Sequence, residues 1–215
     1  MKKMLMAFAI LCSASALQAE PDYYVALCAW APGQIPMASS SVIYGVRCTL
    51  FYGDCTRLNG LDLALVGANR TRERFNGLAI ASVFNRANSA AGAELGFANV
   101  IENEFSGLQG GVWDHASHGY GAQLGGVSTA GYFAGLQAGA FNWADELAGL
   151  QGGVWNHASH GCGVQLGGVN TAGYFAGLQM GVFNWASDLD GLQIGLINVI
   201  ADQTLCVLPL LNIGW

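Results

Sequence analysis

Charge is what this sequence has least of. Lys, Arg, Asp and Glu make up 10% of its residues, against roughly 25% in an ordinary soluble domain, so there is little with which to cover a water-facing surface. The eight Lys and Arg are scattered and the net charge is −6. A nucleic-acid partner is not expected, since binding phosphate needs a basic patch. Beyond the first residues no apolar run reaches the 18 that a membrane-spanning helix requires. If a bilayer holds this chain, strands closed into a barrel must do it. Proline is equally scarce, with four residues, whereas glycine supplies 31, and glycine every few positions disfavours helix throughout.

The N-terminus has the layout of a secretory signal peptide. Met1-Lys2-Lys3 precedes an apolar stretch from Met4 to Cys12, and small residues follow at Ala14, Ser15, Ala16 and Ala19. The expected division is a signal over 1–19 and a single β-repeat domain over 20–215, with cleavage after Ala19 preferred to Ala16. Cys12 is not expected to carry lipid, because Ile10-Leu11 lack the small residue that lipoprotein processing needs. Five cysteines then remain in an exported chain. The candidate disulfides are Cys48–Cys55, across Tyr52-Gly53-Asp54, and Cys28–Cys206, which would tie the chain ends together.

What fills the chain is a repeat. Residues 107–148 and 149–190 are tandem copies that differ at nine of 42 positions. Within them the unit is 14 residues: Gln109, Gln123, Gln137, Gln151, Gln165, Gln179 and Gln193 recur without a break, each inside Gly-x-Gln-x-Gly. Five residues after each stands a polar residue, namely Asp114, Ser128, Asn142, Asn156, Asn170, Asn184 and Asn198, and Asn212 continues the series. Toward the N-terminus the unit persists in looser form as Gly45-Val46-Arg47, Gly60-Leu61-Asp62, Gly77-Leu78-Ala79 and Gly92-Ala93-Glu94. A repeat of this length means a stacked or closed array rather than separate domains.

Around each Gln the residues alternate with period two, the mark of a strand. Over residues 146–155, Leu147, Gly149, Gln151, Gly153 and Trp155 share one side, and Ala148, Leu150, Gly152 and Val154 the other. Ten strand residues leave Asn156-His157-Ala158-Ser159 as a turn.

The phrase Gly191-Leu192-Gln193-Ile194-Gly195-Leu196-Ile197-Asn198 and the preceding Gly-Leu-Gln units resemble the bacterial Gly-Leu-Gln surface-repeat proteins, as do the entry segment Gly45 to Asp62 and the closing Leu208-Pro209-Leu210-Leu211-Asn212. The resemblance covers residues 23–215. It implies export and an outer-membrane or surface location, and it brings no catalytic residues.

Two architectures accept a 14-residue β unit. The sequence is taken to specify an antiparallel meander closed as a transmembrane β-barrel of about 12 strands, with a parallel β-solenoid as the alternative. A strand of ten residues fits the membrane, and the chain ends on Trp215 with Leu211 and Ile213 on its face. In a barrel the Gln row faces the lumen, Leu and Val face membrane lipid, and Trp113, Tyr132, Phe141, Tyr174 and Phe183 form an interfacial girdle. Against it, three added strands change the parity of the barrel, and Pro209 falls inside the last strand, where no free edge exists.

The expected role is that of an outer-membrane or surface structural protein without enzymatic activity or cofactor, the alternative being a surface solenoid adhesin or ligand-binding protein. His115-Ala116-Ser117-His118 and its copy His157-Ala158-Ser159-His160 are the tempting chemistry. Each pair is too small for a closed metal site, and no oriented acid completes a Ser-His hydrolase. Hydrolase activity is the minor alternative. The row Trp113, Phe141, Trp155 and Phe183 is expected to pack rather than to bind sugar rings.

Overall fold

The computed structural model describes residues 22–30, 33–35, 41–204 and 207–215; the expected signal peptide and Cys206 lie outside them. Five strands form one sheet in the order β2-β1-β3-β4-β5. They are β1 (Asp22–Trp30), β2 (Gly33–Ile35), β3 (Val42–Ala64), β4 (Ala68–Ile200) and β5 (Val207–Gly214). β4 is extended for 133 residues, which drawn straight would span about 440 Å at roughly 3.3 Å per residue. It is instead a coiled path whose corners keep extended backbone, because each coil hydrogen-bonds to the coils on either side.

The pairing sets the fold. β3 joins β4 in parallel, with Asn59 opposite Asn76, Gly60 opposite Gly77 and Leu61 opposite Leu78, and β1 joins β3 in parallel as well. Successive units therefore run in the same direction, and the protein is an all-β parallel solenoid. The 12-strand transmembrane barrel is overturned by this register, since a barrel built as a meander would reverse direction at each unit. The expected parity conflict disappears with it, because a solenoid lengthens by whole coils. Antiparallel pairs occur only at the two ends among the described strands: β2 on β1 and β5 on β4.

A glycine marks the same corner of every coil. Gly45, Gly60, Gly77, Gly92, Gly107, Gly121, Gly135, Gly149, Gly163, Gly177 and Gly191 all have positive φ, between 123° and 150°, a region essentially closed to other residues. At Gly149 a Cβ would also lie 2.1 Å from the carbonyl oxygen of Gly135 one coil below. Counted from that glycine, the residues at +2, +7, +9 and +12 point inward, as Gln151, Asn156, Ala158 and Gly161 do in one coil, while both residues at +5 and +6, here Val154 and Trp155, point outward.

That doubled outward step is where strict alternation fails. Trp155 is outside although Gln151 is inside, and the supposed turn Asn156-His157-Ala158-Ser159 is extended chain with Asn156 and Ala158 fully buried. Tyr132 and Tyr174 sit on a different row from Trp113, Phe141 and Phe183, so no single girdle exists.

Two amide ladders run through the interior. In the first, each Gln Nε2 donates to the Gln Oε1 one coil below at 2.7–2.8 Å, from Gln123 onto Gln109 up to Gln193 onto Gln179. The same amide also reaches across the coil, as from Gln151 to the His157 carbonyl at 3.0 Å. In the second, Asn142 donates to Asn156, Asn156 to Asn170, Asn170 to Asn184 and Asn184 to Asn198, at 2.7–2.8 Å. Their amides also hold corner carbonyls ten residues ahead, such as Leu166 for Asn156. The Gln side chains are wholly buried; the expected lumen is a dry core. Burying such amides is tolerable only because they satisfy one another.

Aromatic volume is matched to absence of volume. The row two residues before the corner glycine reads Phe105, Gly119, Phe133, Leu147, Gly161, Phe175, Leu189, and a Cβ on Gly119 would meet the Phe133 ring at 2.5 Å. Phe133 and Phe175 extend into the spaces that Gly119 and Gly161 leave.

Asn212 breaks its expected phase. β5 runs antiparallel, so Asn212 lies opposite Gln193 and ends the Gln ladder, while Asn198 donates to the Leu208 carbonyl. Pro209 is tolerated because β5 is the terminal strand of the sheet. The Cys48–Cys55 bridge is not formed: both carry thiols, Cys48 on an outward row and Cys55 fully buried. Cys28 Sγ donates to the Tyr52 carbonyl at 2.9 Å, and its expected partner Cys206 lies outside the described residues.

Candidate functional site

The coil geometry sorts chemistry onto separate faces. Rows one and three residues before the corner glycine project from one side and carry Tyr44, Arg57, Arg74, Glu104, His118, Tyr120, Tyr132 and Glu146. They line two adjoining hollows of about 680 and 600 Å³, with Tyr120 common to both. The result is an open trough along the solenoid axis. Its larger half contains His115, His118, Tyr120, Tyr132, Trp143, Asp145 and Glu146.

Hydrogen bonds fix the orientation of His115 in the trough and of its repeat counterpart His157. Thr171 Oγ1 donates its single proton to the Asn156 carbonyl at 3.2 Å, so His157 Nδ1, 2.8 Å from that oxygen, is the donor. Thr129 and His115 repeat the arrangement against the Asp114 carbonyl. In the neutral ring Nε2 is left as an acceptor. Burial lowers the pKa of both His115 and His157, which favours that neutral form. Trp143 lies 4.0 Å from the His157 ring centre to centre and donates from Nε1 to Asp145. Tyr120 and Tyr132 form a second tilted pair at 5.8 Å.

The trough thus offers half-exposed aromatic rings beside hydroxyl, imidazole and carboxylate groups. Of the two His-Ala-Ser-His segments only the first lines it, through His115, Ser117 and His118, and only as a wall. Ala116 and Ala158 point into the core, and no set of three His, Cys, Asp or Glu close enough to hold a metal exists among the described residues. Trp143, Asp145 and Glu146 were not singled out by the sequence. Their signal was present as a common phase, Trp143 with His115, Asp145 with Ser117 and Glu146 with His118, each two coils on.

Position matters for the buried charges too. Arg47, Asp62 and Glu94 occupy the Gln phase, two residues after Gly45, Gly60 and Gly92. Arg47 binds Asp62 through Nε at 2.8 Å and Nη2 at 2.5 Å, and both are fully buried. Next along, burial pushes the Glu94 carboxyl up to about 8 despite a hydrogen bond from Gln109. In the Asn ladder Asp114 accepts from Asn99 at 2.7 Å, and burial raises it to about 6. These groups hold the core and do not face the trough. No protein-family model, no curated protein and no solved structure matches this chain.

Proposed function

We propose that this protein is an exported surface solenoid, a rigid scaffold that binds a linear glycan lengthwise in its polar and aromatic trough. The observation that carries this is the pairing of half-exposed rings, Tyr120, Tyr132 and Trp143, with the hydrogen-bonding groups of His118, Asp145 and Glu146 in one elongated depression. Aromatic faces and precisely spaced polar groups are what a sugar ring needs, one for its C–H surface and the other for its hydroxyls.

The duplication supports an extended ligand. Three coils further on, His157, His160, Thr171, Tyr174 and Trp185 repeat the same positions, at about 14 Å given roughly 4.8 Å per coil. A polymer lying along the axis meets the two sets in turn, and the second contact then costs little additional entropy. The N-terminal charge pattern and the resemblance to surface-repeat proteins support export.

The test is titration of the chain with cellohexaose and chitohexaose, followed by tryptophan fluorescence. Binding by either hexasaccharide, weakened about tenfold or more by Trp143→Ala, is the expected result. If neither binds, or if Trp143→Ala changes nothing, the trough is not a glycan site.

A further inference from the structure

Opposite in character to the trough is a face with no charge on it. In all eleven coils the residues at +1, +3, +5 and +6 from the corner glycine include no Asp, Glu, Lys or Arg. Many are large and exposed: Phe97 at 60%, Val154 at 63%, Val182 at 57% and Leu196 at 63%. β5 continues the face with Leu211 and Ile213, which pair with Ile194 and Leu192. Eleven coils at about 4.8 Å and a strand width of about 16 Å give an area of about 800 Å². A patch of that size exceeds what monomeric proteins ordinarily leave in water.

We infer that this face is the contact between two copies of the chain, packed sheet to sheet across a two-fold axis. Area is the first reason, because about 800 Å² per partner is what a stable interface buries. Relief is the second. One coil presents Leu150, Gly152, Val154 and the next Val164, Leu166, Gly168, and the pair recurs 42 residues earlier as Leu108, Gly110, Val112 and Ala122, Leu124, Gly126. Leu124 and Leu166 are thus knobs three coils apart and Gly152 is a hollow, whereas the relief at Gly110 is partly filled by Leu95, whose Cδ2 lies 2.9 Å from where a Cβ would be. A missing side chain at Gly152 leaves open space, since a Cβ there would meet only Leu150 Cδ2, at 3.8 Å. A Leu124 knob of one copy seated in the Gly152 hollow of the other is returned by the same contact in reverse, the self-complementarity that an isologous interface has.

Charge is the third reason. All Asp, Glu, Lys and Arg of the eleven coils point into the core or away from this face, so two acidic molecules meet here without like charges opposed. A bilayer is the poorer occupant, because fluid lipid does not use a fixed pattern of hollows.

Sedimentation equilibrium of the chain without detergent is the experiment, run beside Gly152→Phe, Leu166→Lys and Trp143→Ala. The expected result is twice the chain mass for wild type and for Trp143→Ala. The first two variants should associate at least about tenfold more weakly, a loss of some 1.4 kcal/mol of contact, with an unchanged far-ultraviolet dichroism spectrum. Gly152→Phe fills a hollow without adding charge, and both positions point outward, so the core is untouched. A wild-type chain that stays monomeric at 100 µM (roughly 5.4 kcal/mol by the usual conversion) overturns the inference. So does a Gly152→Phe variant that dimerises as wild type does, or a monomer that floats with phosphatidylcholine vesicles. Trp143 is not among the +1, +3, +5 and +6 residues of this face, so loss of glycan binding in Trp143→Ala and loss of association in Gly152→Phe are read separately.

Discussion

At the scale of single residues, the acids inside the ladders control how stability depends on pH. Glu94 has its carboxyl raised from 4.5 to about 8, so the folded chain holds a proton that the unfolded chain releases above 4.5. Stability is therefore highest below pH 4.5 on this account and falls as pH rises toward 8, by about 1.4 kcal/mol per unit at most. Glu94→Gln removes the charge and completes the row onto Gln109. It should leave stability at pH 5 nearly unchanged and raise it at pH 9 by on the order of 2–4 kcal/mol, measured by urea denaturation at both pH values. His115 and His157 act with the opposite sign: their pKa is lowered by burial, so their contribution is lost as pH falls below 6.5.

The Asn ladder contains a flaw that its own duplicate corrects. Asp114 Oδ2 and Ser128 Oγ are buried without partners, where the second copy has Asn156 and Asn170 bonded in sequence at 2.8 Å. The surrounding residues Leu124-Gly125-Gly126-Val127 and Leu166-Gly167-Gly168-Val169 are identical, so the space already suits Asn. Ser128→Asn together with Asp114→Asn should stabilise by about 1–3 kcal/mol, the cost of the buried groups now unsatisfied. The pair should gain more than the sum of the single changes, because neither rung is complete alone. A double-mutant cycle by thermal unfolding checks this, and strict additivity would count against a continuous ladder.

At the scale of the coil, the corner glycine is the element that cannot be exchanged. Gly149→Ala places a methyl 2.1 Å from the Gly135 carbonyl oxygen at a φ of 148°. The coils must separate locally, and a loss of about 3 kcal/mol or more is expected from strain and broken hydrogen bonds. Gly152→Ala, three residues away on an outward row, is the control and should change stability by less than about 0.5 kcal/mol. Differential scanning calorimetry of both variants makes the comparison.

This element also shows what the sequence could and could not reveal. The 14-residue period and the Gln and Asn rows were legible because they are a direct imprint of one coil stacked on the next. Strand direction was not, since ten extended residues plus four describe a meander and a coil equally well. The deciding signal was weaker: an unbroken row of amides has no way to be satisfied against lipid or bulk lumen water as economically as against itself, and Arg47, Asp62 and Glu94 held the same phase as charged substitutes. The trough was hidden for a related reason. Its residues, Tyr120, Tyr132, Trp143 and Glu146, are spread over several coils and differ from one another, so no motif marks them. The doubled outward step at Val154-Trp155 misled the alternation and placed Trp155 with Gln151.

At the scale of the molecule, a solenoid is a quasi-one-dimensional object, and its length is adjustable without altering its cross-section. Deleting residues 149–190 joins Ala148 to Gly191 and brings Gln193 into the position now held by Gln151, above Gln137, and Asn198 into that of Asn156, beside Asn142. Every corner glycine, ladder rung and outward row remains in phase, and β5 still closes the last coil. The shortened chain should therefore fold cooperatively, with the terminal strands intact and the long axis reduced by about 14 Å, three coils at roughly 4.8 Å each. Small-angle scattering reads the length and thermal unfolding reads the cooperativity. A deletion of 35 residues, two and a half coils, would instead set inward residues of one coil against outward residues of the next. It should yield an unfolded or aggregated chain, and if both deletions behaved alike, the stacked register would not be what holds this protein together.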